Sequence, residues 1–130
     1  MRETYPMFRT CLGSGVWLSV IKNHPDKKRE ENKDRIDIFV SAPEHNVISN
    51  EEVFTNSLEE VFSKIEKCVS LVKEWVYINT LFKLKGLVVE GTTRSKLESV
   101  LNSAIKYNKL KGISEYSADL KKYLSSVVLK

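Results

Sequence analysis

One long run of helical periodicity constrains this sequence more than any other feature. From residue 50 onward, apolar side chains recur at intervals of three and four residues, at Phe54, Leu58, Val61, Phe62, Ile65, Val69, Val72 and Val76. This spacing places them on one face of an α-helix. Asn50 or Ser49 is expected to cap the helix. Glu51 and Glu52 then lie in its first turn, where the helix dipole favours acidic side chains.

The apolar face of this helix widens beyond Cys68, as further apolar residues appear at Leu71, Trp75, Ile78, Leu81 and Phe82. A helix that is apolar almost all round is central to the fold or is covered by a partner. Lys83 and Lys85 followed by Gly86 predict the end of the helix. In an alternative interpretation the helix ends near Glu74 and residues 75–79 form a strand. The following segment, residues 87–90, is short and β-branched, which predicts a third strand or an extended connector.

Two segments before the helix have the composition of strands. Residues 15–22 (GVWLSVIK) are β-branched and aromatic, and residues 35–41 (RIDIFVS) alternate between apolar and polar positions. We expect these segments to pair as antiparallel strands with a long polar connection. Pro43 ends the second strand, because proline cannot donate a hydrogen bond to the sheet.

The connection between these strands contains His24-Pro25-Asp26 followed by a lysine. This tripeptide resembles the one that J-domain co-chaperones place between two helices. The resemblance covers four residues, and the segments on either side predict strands instead of helices. The charges that follow alternate in sign, five basic against four acidic between residues 26 and 35. We therefore interpret the segment as a polar loop and not as a phosphate-binding patch.

The C-terminal part of the chain predicts two shorter helices. Thr92 or Thr93 caps the first, whose inner face is marked by Leu97, Val100, Leu101, Ala104, Ile105 and Asn108. Ser114 opens the second, whose inner face is marked by Leu120, Tyr123, Leu124, Val127 and Val128.

The predicted fold class is therefore α+β: a small N-terminal antiparallel sheet packed against a long central helix and a C-terminal helical pair. A chain of 130 residues is expected to form one domain over residues 1–130. The sheet-forming part covers about 15–42 and the helical part about 50–130.

Composition places the chain in a reducing compartment. Cys11 and Cys68 form no paired motif, and residues 1–15 lack the pattern of a signal peptide. The most apolar window, residues 68–84, contains three charged side chains and is too short to span a bilayer. We therefore expect a cytoplasmic protein without a membrane partner.

The inventory of reactive residues predicts no catalytic site. His24 and His45 are the two histidines, and neither belongs to a metal-binding motif such as HExxH. Ser14 lies in Gly-Ser-Gly without the GxSxG pattern of a nucleophile elbow. We therefore expect no catalytic residue, no metal ion and no cofactor, and hence a protein that is not an enzyme.

Positive charge is concentrated at the C-terminal end. From residue 94 onward eight basic residues stand against three acidic ones, a net charge of +5, whereas the rest of the chain carries −1 of the total of +4. Lysines mixed with tyrosines can bind single-stranded nucleic acid through phosphate contacts and base stacking. The candidate residues for this alternative function are Arg94, Lys96, Lys106, Lys109, Lys111, Lys121 and Lys122.

The preferred hypothesis is a protein that acts by binding another protein. Chains of this size and layout include inhibitors, immunity proteins that block a toxin, small adaptors and subunits of complexes, and a homo-oligomer is also compatible with the pattern. Aromatic side chains supply much of the binding energy in protein interfaces. The candidate contact residues are Trp75, Tyr77, Phe82, Tyr107 and Tyr116.

Overall fold

Four strands form an antiparallel sheet in the order in which they occur along the chain. The structure, a computed structural model, describes residues 7–23, 35–54 and 57–127. The strands are β1 (Met7–Gly13), β2 (Val16–Asn23), β3 (Arg35–Ala42) and β4 (Val47–Phe54), and the helices are α1 (Leu58–Val89), α2 (Arg94–Ile105) and α3 (Ser117–Val127). The α+β fold class is confirmed: the sheet lies at the N-terminus, followed by a long helix and two shorter ones.

The antiparallel pairing of the two predicted strands is also confirmed. Asn23 at the end of β2 lies opposite Arg35 at the start of β3, and the register continues to Trp17 opposite Ser41. The His24-Pro25-Asp26 segment lies outside the described residues.

The first strand, β1, was not predicted from the sequence. It joins β2 through Gly13-Ser14-Gly15, and these three residues have φ angles of 108°, 52° and 76°. Positive φ angles suit the tight turn of a hairpin, and glycine adopts them without steric cost. The Gly-Ser-Gly motif is therefore a hairpin turn.

The prediction that a helix begins near Asn50 is wrong, because residues 47–54 form the edge strand β4. Val47 and Val53 are buried on the core side, and their even spacing belongs to a strand. Helix α1 begins at Leu58 and is capped by Ser57, whose hydroxyl accepts a hydrogen bond from the amide of Glu60. The helical part of the chain therefore begins eight residues later than predicted.

Helix α1 continues through Gly86 to Val89, so the predicted end at Gly86 and the predicted extended segment at 87–90 are wrong. The helix also includes residues 75–79, which excludes the alternative strand there. Leu87 is buried, and its packing offsets the roughly 1 kcal/mol that a glycine costs inside a helix. The helix ends at Val89, and Gly91 two residues later has the positive φ angle (74°) that commonly follows a helix end.

One face of the sheet, the first half of α1, α3 and the segment between α2 and α3, which contributes Tyr107, Leu110 and Tyr116, form the core. The sheet contributes Leu12, Val16, Leu18, Val20, Ile36, Ile38, Val40, Ala42 and Val53. The first half of α1 contributes Val61, Ile65, Cys68 and Val72, and α3 contributes Leu120 and Leu124. None of the described helices has the length and apolarity needed to cross a bilayer.

The chain after α2 returns to the hairpin formed by β1 and β2. The amide of Lys111 donates to the carbonyl oxygen of Leu12 (2.9 Å). The amide of Lys22 donates to the hydroxyl of Tyr123 (3.3 Å), whose ring lies 6.0 Å from that of Phe8. Helix α3 therefore packs against β1 and β2, whereas α1 packs against β3 and β4.

Candidate protein-interaction surface

Helix α1 is too long for the sheet that it covers. Its 32 residues rise about 48 Å. A strand of eight residues is about 26 Å long, and four strands are roughly 15–19 Å wide. Consequently only the first half of α1 packs on the sheet, and the second half packs against α2.

We call residues 71–105 the arm: the second half of α1, the turn at 90–93, and α2. No residue of α2 is buried, so this helix covers one side of α1 without closing a core of its own. The arm leaves nine large apolar side chains exposed: Leu71, Trp75, Tyr77, Leu81, Phe82, Val88, Val89, Leu101 and Ile105. Only three others are exposed in the rest of the described chain: Met7, Phe39 and Ile48. The arm is therefore the main apolar surface of the described structure.

Part of this surface is a continuous row along α1, which we call the stripe: Leu71, Trp75, Ile78, Phe82 and Val89. Intervals of four, three, four and seven residues keep these positions on one side of the helix. The core-facing residues Val72, Val76 and Thr80 lie on another side. Phe82 is 70% exposed and Val89 80% exposed, and Ile78 is half-buried. The stripe therefore faces away from the protein's own core.

A second part of the surface is a groove of about 150 Å³ between α1 and α2. Apolar side chains dominate its walls, which include Tyr77, Leu81, Leu84, Leu101 and Ile105. Tyr77 is 63% exposed at its rim. Apolar grooves between helices are common docking sites for an apolar side chain or an amphipathic helix of a partner.

The structure brings together three of the five predicted protein-contact residues. Trp75, Tyr77 and Phe82 are all exposed on the arm. Tyr107 and Tyr116 are 4% and 5% exposed and belong to the core. The prediction that Tyr107 and Tyr116 are contact residues is therefore wrong, because the C-terminal segment folds their rings back against the sheet and α1. The other six exposed residues were not predicted as contacts: Leu71, Leu81, Leu101 and Ile105 were expected on apolar helix faces, and Val88 and Val89 in a strand or extended connector.

Tyr107 lies between the groove and the short turn after β3. Its ring packs edge-on against that of His45, with 5.1 Å between centroids. Burial and the nearby Glu44 carboxylate raise the pKa of Tyr107. Neither its hydroxyl nor Nε2 of His45 has a hydrogen-bond partner among the described residues.

The seven predicted nucleic-acid contacts are exposed but are spread over three elements. Arg94 and Lys96 begin α2, Lys106, Lys109 and Lys111 follow it, and Lys121 and Lys122 lie on α3. Nε of Arg94 lies 3.0 Å from Oε1 of Glu98, so its charge is partly balanced. The tyrosines of this region are not exposed beside the lysines: Tyr107 and Tyr116 are buried and Tyr123 is half-buried.

Three ionisable groups elsewhere in the described chain, Asp37, Glu51 and Cys68, are paired or buried. A shallow concavity of about 440 Å³ lies over β3 and β4 and contains Asp37, Glu51 and Glu52. Oδ1 of Asp37 lies 3.4 Å from Nε of Arg35, and Glu51 is paired with two lysines. Burial raises the pKa of the Cys68 thiol, which disfavours a reactive thiolate. Residues 7–23, 35–54 and 57–127 contain no group of three or more side chains suited to a metal ion.

Neither the sequence nor the fold matches a known protein-family model, a curated protein or a solved structure. The geometry of the arm is therefore the basis for assigning a function.

Proposed function

We propose that this protein is not an enzyme and acts by binding another protein through the arm. The observation that carries the proposal is the exposure of Trp75, Tyr77 and Phe82, at 54%, 63% and 70%, on adjacent turns of one helix. Large exposed aromatic clusters are typical of interfaces, where they anchor the partner.

The size of the exposed surface supports an interface. An aromatic side chain offers about 150–250 Å², so the three aromatic residues together expose roughly 350 Å². The six exposed aliphatic side chains of the arm add a comparable area. The total approaches the ~800 Å² that each partner contributes to a standard interface.

The position of this surface on α1 also supports the proposal. The buried residues Val76, Thr80 and Leu87 hold the second half of α1 in place from the core side. The hydroxyl of Thr80 donates to the carbonyl oxygen of Val76 (2.8 Å), so its polar group is satisfied within the helix. The apolar residues of the arm are therefore presented on a regular helix, which reduces the entropy lost when a partner binds.

Within this proposal, the biological role belongs to one of the classes that act by occupying a partner: an inhibitor or immunity protein, an adaptor, or a subunit of a complex in the cytoplasm. The alternative, nucleic-acid binding, loses part of its support because the tyrosines needed for base stacking are buried or half-buried. Its seven basic residues remain available for phosphate contacts, so the test includes this outcome.

The test is affinity purification from the native cell with and without nuclease, using the wild type and single variants of the arm. Tyr77→Asp and Leu101→Asp change the groove, whereas Trp75→Asp and Phe82→Asp change the stripe. Ile48→Asp is the matched control, since Ile48 is 71% exposed on the sheet and lies outside the arm.

The proposal predicts that, after nuclease treatment, a protein co-purifies with the wild type and with Ile48→Asp. This protein should be lost with at least one of the two pairs of arm variants, the groove pair or the stripe pair. Each variant is checked by circular dichroism for intact folding. Recovery of nucleic acid alone, with no protein remaining after nuclease, overturns the proposal. Binding that is unchanged in all four arm variants overturns it as well.

A further inference from the structure

We infer that the stripe of α1 packs against the stripe of a second copy of this chain, with the two helices antiparallel. The inference rests on the proposed function, because it names the partner of one part of the arm. The intervals of the stripe are those of the a and d positions of a heptad repeat, with a at 75, 82 and 89 and d at 71, 78 and 85. Such a row is complementary to itself and needs no different partner.

Lys85 is the one charged residue in this repeat, and it determines the orientation. In a parallel pair Lys85 would face Lys85 of the second copy inside an apolar seam, which is unfavourable. In an antiparallel pair centred on residue 80, a positions face d positions. Lys85 then lies against Trp75 of the second copy, and a lysine over an indole ring is a favourable cation–π contact.

The same arrangement pairs the remaining apolar positions. Leu71 faces Val89 of the second copy, and Ile78 faces Phe82, so that both ends of the stripe are covered. Glu74 precedes Trp75 and comes close to Lys85 of the second copy, where the opposite charges attract.

The residues that flank the stripe also fit a helix pair. On one side, Leu81 and Val88 widen the apolar contact, and both are about half or more exposed. On the other side, Asn79 and Gly86 are small and exposed, which allows the backbones to approach. Leu81 is also one wall of the groove, whose other walls, including Tyr77 and Leu101, stay accessible to a different protein.

The area is sufficient for a weak to moderate dimer. Leu71, Trp75, Leu81, Phe82, Val88 and Val89 expose roughly 600 Å² per chain at the fractions observed. Specific interfaces use about 800 Å² per partner, and the half-buried Ile78 and the stems of neighbouring lysines supply most of the difference.

Sedimentation velocity over a range of protein concentrations tests the inference. We expect the wild type to be dimeric at concentrations on the order of 100 µM and Phe82→Asp to weaken the dimer more than about 30-fold. Ile48→Asp should behave as the wild type. A wild type that stays monomeric in this range overturns the inference, and so does a dimer that Phe82→Asp leaves intact.

A charge exchange tests the antiparallel orientation separately. Glu74→Lys and Lys85→Glu should each weaken the dimer several-fold, and the double variant should recover part of the loss, because the attraction between positions 74 and 85 returns while the contact of a lysine with Trp75 does not. In a Cys11→Ser background, a mixture of Leu71→Cys and Val89→Cys chains should form a disulfide-linked dimer under mild oxidation, whereas each variant alone should not. Residues 71 and 89 lie about 27 Å apart along α1, so a variant that cross-links with itself shows a parallel pair and contradicts the inference.

These results distinguish the inference from the proposed function. If the wild type is monomeric and the groove variants lose a co-purifying protein, the second copy is not the partner. The proposed function then still stands. If the wild type dimerises and no other protein co-purifies with it, although its groove residues are unchanged, the inference is supported. The second copy is then the only partner.

Discussion

Nζ of Lys67 lies 3.1 Å from Oε1 of Glu51, and Nζ of Lys64 lies 3.2 Å from the same oxygen. These contacts join the first half of α1 to the edge strand β4. They lie in the part of the helix that packs on the sheet, and the arm begins one turn later, at Leu71. The described residues thus combine a closed core with an apolar helical extension that they cover only in part.

Replacement of Glu51 by glutamine should destabilise the protein slightly and in a pH-dependent way. Hydrogen bonds from Lys67 and Lys64 lower the pKa of Glu51 from its usual 4.5. The stabilisation is therefore present above pH 4.5 and is lost as the pH falls through the lowered pKa. Because the pair is partly exposed, we expect a loss of less than about 1 kcal/mol at neutral pH. Urea unfolding of both proteins at neutral and acidic pH measures the difference in their free energies of unfolding. A difference between wild type and variant that persists well below the lowered pKa contradicts the explanation.

Core and arm should respond differently to truncation. Ile65→Ala removes a fully buried side chain beneath α1 and should cost about 2–5 kcal/mol. Phe82→Ala removes an exposed ring and should change the stability of the dilute monomer by less than about 0.5 kcal/mol. Equilibrium unfolding in urea compares the two. A loss at Phe82 as large as that at Ile65 would show that the arm's stripe is buried within the chain.

Tyr116 should make the protein sensitive to alkali. Burial, with a smaller effect from Glu66, raises the pKa of Tyr116 to about 12. The contribution of Tyr116 to the free energy of unfolding is fully present below pH 10, the ordinary pKa of tyrosine. It is lost as the pH rises from 10 to about 12, because the Tyr116 hydroxyl loses its proton at lower pH in the unfolded chain than in the folded protein. Tyr116→Phe should reduce the alkaline loss by about 2 kcal/mol. Thermal unfolding at neutral pH and at pH values between 10 and 12 tests this, and equal alkaline slopes in both proteins would refute it.

Tyr107→Phe should stabilise the protein by about 1 kcal/mol, because it removes a buried hydroxyl that has no hydrogen-bond partner among the described residues. The ring keeps its edge-on contact with His45 and its place beside the groove. Chemical unfolding of the variant against the wild type gives the difference. A clear destabilisation would mean that the hydroxyl is hydrogen-bonded in solution.

The core strands and the long helix could be predicted from the sequence because their patterns are simple. Val16, Leu18 and Val20 alternate strictly, and all three are fully buried. The edge strands were harder to predict. In β4, Glu51 and Glu52 interrupt the alternation and resemble the acidic first turn of a helix, and only the pairing of Asp37 with Glu52 across the sheet shows the strand.

The candidate site was predicted in part. The sequence predicts Trp75, Tyr77 and Phe82 as contact residues because a helix that is apolar almost all round has more apolar surface than one core can cover. The sequence could not show which tyrosines return to the core. Tyr107 and Tyr116 are buried because residues 106–116 fold back onto the sheet and α1, a tertiary contact that no local pattern encodes. The role of α2 was missed for a related reason, since the regular spacing of Leu97, Leu101 and Ile105 predicted a buried face where the structure has none.

Photo-cross-linking in the native cell is the most direct test of the claim that the arm is a protein interface. Benzoylphenylalanine is placed at Tyr77 in one variant and at Ile48 in another, both positions being more than 60% exposed. We expect a discrete cross-linked protein product at position 77 that resists nuclease and is absent at position 48. No product at position 77, or the same products at both positions, would contradict it.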